Sequence, residues 1–147
     1  MPKQKTDNRS IGNRFEAELC EILAQHGFWA HNMQQNSAGQ PADIIAIRGA
    51  FHTLIDCKHI ADDKGFPFSE IRENQRSAMK MFQKKCHEFC YFAFKLPDDT
   101  IWLITLERMD TLAGRGKTRL TDDEIRGGQA WSLEAWLDSS KTWAEDT

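Results

Sequence analysis

The chain has 147 residues and a formal net charge of −3, with 28% charged and 40% hydrophobic side chains. That is the size of one globular domain, long enough to bury a core without disulfide or metal staples. So balanced a charge excludes a uniformly basic nucleic-acid binder, and any DNA contact has to be concentrated on one face.

Residues 1–10, MPKQKTDNRS, are polar and basic and read as a flexible arm. They contain no apolar signal segment, and no run in the chain reaches the roughly 18 apolar residues of a membrane span. A cytoplasmic protein without a membrane partner is therefore expected, with its four cysteines as thiols. Residues 11–147 read as a single domain. Ile11, Phe15, Leu19, Ile22 and Leu23 form one helical stripe that ends at Gly27. FWAHN (Phe28 to Asn32) reads as a strand and Met33 to Gln40 as a polar loop. Asp43 to Arg48 and Phe51 to Lys58 are strand-like runs around Gly49-Ala50. Ser69 is positioned to cap a second helix that runs to about Lys85.

CHEFC (Cys86 to Cys90) has a metal-like spacing but lacks the second ligand pair of a zinc site. Phe89 to Leu96 and Ile101 to Leu106 form a second hairpin around Pro97 to Thr100. In the tail, Thr121 to Glu124 fits a capping box, and Trp131, Trp136 and Trp143 supply late packing or an interface. The order is α-β-β-β-α-β-β with one or two small helices after it. The expected fold class is α/β (α+β), a mixed central sheet flanked by helices.

The first hairpin carries the chemistry. A two-residue loop with glycine first suits a type II′ turn, so Arg48 faces Phe51 and Asp43 falls opposite Asp56. Period-two alternation puts Lys58 on the face of Asp56. Two carboxylates at about 5 Å in an effective dielectric of about 20 repel by roughly 3 kcal/mol. An oxygen-only pair of this kind suits Mg²⁺ or Mn²⁺; the alternative is two strand ends in water balanced by Lys58. Glu16 borders the buried stripe of the first helix. Gln75 interrupts the inward stripe of the second, between Ile71 and Met79, where an amide needs a polar partner. That partner is either a backbone group or the acids of the hairpin.

Glu16, Asp43, Asp56, Lys58 and Gln75, in that order, resemble the signature of the PD-(D/E)XK nuclease superfamily. P-A-D (Pro41 to Asp43) and D-C-K (Asp56 to Lys58) stand for its two halves. GNRFEAEL, FPFSEIRENQ and GRGKTRLTDDEI are similar to the start, middle and end of RecU-type Holliday junction resolvases, although the long projection before the first catalytic aspartate is absent. The resemblance implies a restriction-endonuclease-like core and metal-dependent DNA cleavage in recombination or repair. In that reading Asp43, Asp56, the Cys57 carbonyl and Glu16 hold Mg²⁺ or Mn²⁺, Lys58 orients the attacking water, and Gln75 positions Lys58 or that water.

DNA phosphates would be met by Lys3, Lys5, Arg9 and Arg14, by Lys80, Lys84 and Lys85 on the second helix, and by Arg115, Lys117 and Arg119 in the tail loop. The expected substrate is branched DNA, a four-way junction, cut by a homodimer. The alternatives are a restriction- or repair-type endonuclease on duplex DNA and a non-cleaving DNA-binding module.

Overall fold

The computed structural model describes the backbone of residues 3–33, 42–61 and 64–145 and the side chains of residues 14–33, 42–61 and 64–143. Helix α1 (Lys3–Gln25) begins well before the expected Ile11, inside the segment read as an arm. Its stripe buries Phe15, Leu19 and Leu23. Strand β1 (Trp29–Asn32) follows, and then the hairpin of β2 (Ile44–Arg48) and β3 (Phe51–His59). Residues 34–41, which include most of the expected loop, lie outside the described residues. The hairpin register is the expected one, with Arg48 facing Phe51 and Ile44 facing Ile55. Gly49 takes a φ of 57° at the first loop position, where a side chain would be strained.

Strand β4 (Phe66–Pro67) and a 3₁₀ turn (Phe68–Glu70) lead into α2 (Glu73–Cys86). Ser69 does not cap α2, contrary to the sequence reading. The chain straightens at Ile71 (φ −79°, ψ 113°) to bury that side chain, so the helix restarts at Glu73 with Arg72 as its N-cap. Strands β5 (Tyr91–Lys95) and β6 (Ile101–Thr105) form the second hairpin. The tail is more ordered than its sequence suggests. It contains α3 (Leu106–Gly114), β7 (Arg119–Leu120), α4 (Asp122–Glu124), β8 (Trp131–Ser132) and α5 (Leu133–Glu145). Thr121 and Glu124 form the expected reciprocal capping box.

Six strands make one sheet in the order β1-β2-β3-β5-β6-β8. Only β3 and β5 run parallel, which requires the long crossover through α2. Alternation along the strands sends two sets of side chains to opposite faces. Ile44, Phe51, Ile55, Ala93 and Leu103 pack with Phe15, Leu19 and Leu23 of α1 and with Trp136 and Leu137 of α5. Leu54, Phe92, Phe94 and Ile104 pack with Met79 of α2, with Met109 and Leu112 of α3, and with Phe66 and Leu120. Trp136 stacks on Phe28 with ring centroids 5.7 Å apart. Trp136 and most of the β5–β6 hairpin are therefore core. Among the described residues no helix is long and apolar enough to cross a membrane.

Strands β4 and β7 pair as a two-stranded strap across the end of β3 and β5. Gly65 enters the strap with φ +83°, and a Cβ there would lie 2.4 Å from the Leu120 carbonyl oxygen. Replacing Gly65 by alanine is expected to cost about 1–3 kcal/mol through backbone strain. Gly114→Ala, at a helical position with open space around it, is expected to be neutral or slightly stabilising. Urea unfolding midpoints of the two variants measure the difference. Equal midpoints would show that the strap can shift without cost.

Candidate active site

Strand β3 runs on to His59, but β2 starts only at Ile44. Among the described residues, the far end of β3 therefore has no strand partner on the β2 side. The Asp43 N–H still donates to the Ile55 carbonyl at 3.1 Å. The next inward-facing donor, the Cys57 N–H, is met by the Asp43 carboxylate at 2.8 Å. The N–H and C=O of one strand residue point to the same neighbour, so the Cys57 carbonyl faces this edge as well.

A cleft of about 610 Å³ opens there. Its walls include Glu16, Asp43, Asp56, Cys57, Lys58 and Gln75. Glu16 reaches it from the α1 face of the sheet. Asp56 and Lys58 alternate onto the α2 face, where Gln75 lies in the first turn of α2. All five side chains that the sequence singled out, together with Cys57, line one cavity. Sequence reasoning missed Arg72 and Asn74 in the same wall, since nothing in RENQ (Arg72 to Gln75) distinguishes a cleft-facing side chain from a solvated one. It also missed Asn32, whose Nδ2 donates to Glu16 Oε2 at 3.0 Å.

The electrostatics follow from crowding. Lys58 Nζ lies 3.0 Å from Asp56 Oδ2 and 5.9 Å from the centre of the Phe66 ring, so the strap holds it over the acids. The ammonium approaches off-axis, and Asp56 Oδ2 is a buried oxygen without an aligned hydrogen bond. Burial, then the Asp43 charge, push the Asp56 carboxyl up to about 7, against the lowering effect of Lys58. Burial and Asp43 also raise Glu16. The Cys57 thiol is pushed well above its usual range by burial and by the neighbouring acids, so it is an inert wall.

Among the described residues no three acidic, histidine or cysteine side chains are gathered as a ready-made metal cage. The donors at the cleft are nevertheless all oxygens, and one of them is buried and poorly satisfied, which fits a hard divalent cation. The CHEFC segment offers no such site. Cys90 is buried and its thiol points to the Met79 carbonyl.

The basic residues fall into separate groups. Lys3, Lys5 and Arg9 have side chains outside the described residues. Arg14 is exposed and lines a second cavity of about 530 Å³ with Glu18, His59 and Lys95, where Lys95 is paired with Glu18 at 2.5 Å. Of the two acids in its lining, Glu18 and Asp99, the first is paired with Lys95. Lys84 and Lys85 are at the far end of α2, about 14–15 Å along the helix axis from Gln75. Lys80 is drawn toward Asp110 and Lys117 to Glu124. Arg119 lies in the strap, and Arg115 is exposed just before it.

A sequence profile described as "Archaeal holliday junction resolvase (hjc)" matches residues 7–143. The superfamily reading of the motifs stands, and the narrower resemblance to RecU-type enzymes is corrected. The acid and lysine positions are common to the superfamily and do not by themselves separate its branches. Among solved structures, Hjc from Archaeoglobus fulgidus, a Holliday junction resolvase, superposes with a TM-score of 0.64. It shares 18% identity over 86% of this chain and 99% of its own, a likeness of fold. That fold is the restriction-endonuclease-like α/β core. No curated protein sequence matches.

A carboxyl held near pH 7 in the folded state and near 4 in the unfolded state is protonated more readily when folded. Without divalent cation, stability should therefore fall as pH rises from about 4 to about 7, and the loss is complete above that. Asp56→Asn removes the loss. In EDTA it is expected to melt on the order of 5 °C above wild type at pH 8 and level with it near pH 4. The same difference at both pH values would mean that Asp56 is ionised throughout.

Proposed function

We propose that this chain, which belongs to the archaeal Holliday junction resolvase (Hjc) family, is a divalent-metal-dependent endonuclease that hydrolyses phosphodiester bonds at four-way DNA junctions. The observation that carries this reading is the convergence of Glu16, Asp43, Asp56, Lys58 and Gln75 on one cleft.

Asp43, Asp56 and the Cys57 carbonyl would hold Mg²⁺ or Mn²⁺, with Glu16 completing the set directly or through water. When bound, the ion lowers the pKa of a water molecule and offsets charge on the phosphate. The remaining chemistry belongs to the side chains. Lys58, held over the acids by Phe66, donates to the attacking water and to the phosphate oxygens as negative charge builds on them. Gln75, one of the few polar groups on the inner side of α2, donates to or accepts from the same water and keeps Lys58 in line. Arg72 at the mouth of the cleft and Arg115 and Arg119 around the strap meet flanking phosphates. Those contacts fix position without reading sequence.

Asp56→Asn and Lys58→Ala are each expected to abolish cleavage of a labelled four-way junction in Mg²⁺ while retaining binding in a gel-shift assay. Gln75→Leu should fold normally and cut about tenfold more slowly, equivalent to about 1.4 kcal/mol of transition-state stabilisation. Wild-type turnover in any of the three would remove that residue from the mechanism. Preferential cutting of plain duplex over the junction would replace junction resolution with a duplex nuclease.

The enzyme is proposed to act as a homodimer, because a four-way junction offers two symmetry-related cut sites and two-fold assemblies close on themselves. The core aromatics are not free to form the contact. Trp29, Met81 and Phe89 are large apolar side chains left more than half exposed, and the pair Met81, in α2, and Phe89, just after its end, is the proposed contact. Sedimentation at micromolar protein should give twice the chain mass, and Met81→Glu/Phe89→Glu should shift it to monomer. A monomeric wild type would remove paired cutting by one stable dimer.

A further inference from the structure

We propose that Asn32 is a positioning residue that fixes the Glu16 carboxylate at the divalent-cation site, and that the Cys20 thiol sets which way the Asn32 amide points. The proposal rests on the metal-dependent reading of the cleft.

Glu16 and Cys20 are four residues apart on α1 and therefore stack on one face of the helix. Asn32, the last residue of β1, spans both. The Cys20 Sγ–H donates to Asn32 Oδ1 at 3.0 Å, and Asn32 Nδ2 donates to Glu16 Oε2 at 3.0 Å. The order of donors permits only this amide orientation. A flipped amide would set its oxygen against a carboxylate and its NH₂ against a thiol that is a weak acceptor. Asn32 is itself anchored to the catalytic hairpin. It pairs with Ile44, and the following Met33 N–H donates to the Asp43 carbonyl at 2.7 Å. The relay thus ties the acid on the helix to the strand end that carries Asp43.

Glu16 needs that tie. It is only partly buried and faces the negative charge of Asp43, so a free side chain would relieve the repulsion by swinging to water. The Asn32 donor favours its ionised form and opposes that movement. Hydrogen-bond partners behind a metal ligand commonly alter affinity for the ion by about 10–100-fold when removed.

The test is a Mg²⁺ titration of the melting temperature without DNA, beside junction-cleavage kinetics, on wild type, Asn32→Ala, Asn32→Asp, Cys20→Val and Cys20→Ser. Asn32→Ala should raise the half-saturating Mg²⁺ concentration about tenfold or more. Its melting temperature in EDTA should stay near that of wild type, and its KM for the junction at saturating Mg²⁺ should be unchanged. Asn32→Asp, which adds a third acid against Glu16 and Asp43, should lose more. Cys20→Val should move in the same direction by a smaller factor, and Cys20→Ser, which keeps a donor, should restore the wild-type value. If Asn32→Ala fails to fold, Asn32→Asp and the Cys20 pair decide by the same titration. A wild type that responds to Mg²⁺ while the Asn32 variants respond identically overturns the relay alone. A wild type that neither shifts in melting nor cleaves with Mg²⁺ or Mn²⁺ overturns the reading of the cleft and the relay with it.

Discussion

Mutual repulsion of Glu16, Asp43 and Asp56 at the open end of the first hairpin is the constraint on which the rest of the structure turns. Two carboxylates a few ångströms apart cost roughly 3 kcal/mol even in a well-screened setting, and Asp56 is only 4% exposed. One ammonium, Lys58, stands against three acids. The structure tolerates the imbalance by holding Asp56 close to its protonated form near neutral pH and by giving the Asp43 and Glu16 oxygens donors from Cys57 and Asn32. A cluster arranged only for stability would replace one acid with an apolar group of similar volume. On the proposed reading, the retained repulsion is affinity in reserve for a cation.

Such a cluster persists only if its frame cannot relax. The frame here is a sheet packed on both faces, with α1 and α5 on one side and α2 and α3 on the other. The parallel junction of β3 with β5 sets the cleft between elements distant in sequence. Glu16 arrives from the first helix, the acids and lysine from the hairpin, and Gln75 from the crossover that the parallel pairing requires. The strap adds the last restraint. Phe66 lies under Lys58 and packs edge-on against Phe94 at 5.2 Å, and Gly65 permits the close approach of Leu120 that seats it. The FPF segment thus positions the site through packing, although none of its side chains has chemistry to contribute.

The first hairpin was legible in the sequence because its signals are local. Gly49-Ala50 sets the turn, the turn sets the register, and the register places Asp43 beside Asp56. Gln75 was legible as a polar interruption of an apolar stripe. The start of α2 was misread because Ser69 is a good cap by type, and no local rule weighs that against burying Ile71 in the core. The tail defeated local reading for a related reason. β7 is two residues long and exists only because β4 is opposite it, a pairing between residues some fifty positions apart. Asn32 was invisible because FWAHN has no pattern that separates a strand end at an acid from one in water. Its significance comes from α1 crossing above it.

The charge distribution bears on how a chain with net charge −3 engages a polyanion. Many of its cations are already engaged: Arg76 and Lys80 with Asp110, Lys95 with Glu18, Lys117 with Glu124 and Arg126 with Asp98. Arg72, Arg115 and Arg119 have no acidic partner among the described residues, and they lie at the cleft or around the strap beside it. Each phosphate contact that these three make would add to the salt dependence of binding. The acids of the cleft oppose a phosphate until their own charge is offset. On the proposed reading, a phosphate and a divalent cation each remove the repulsion that the other meets, so their affinities must rise together by one common factor. On that reading, the crowding that raises the Asp56 carboxyl would also be the source of a coupling between metal and DNA.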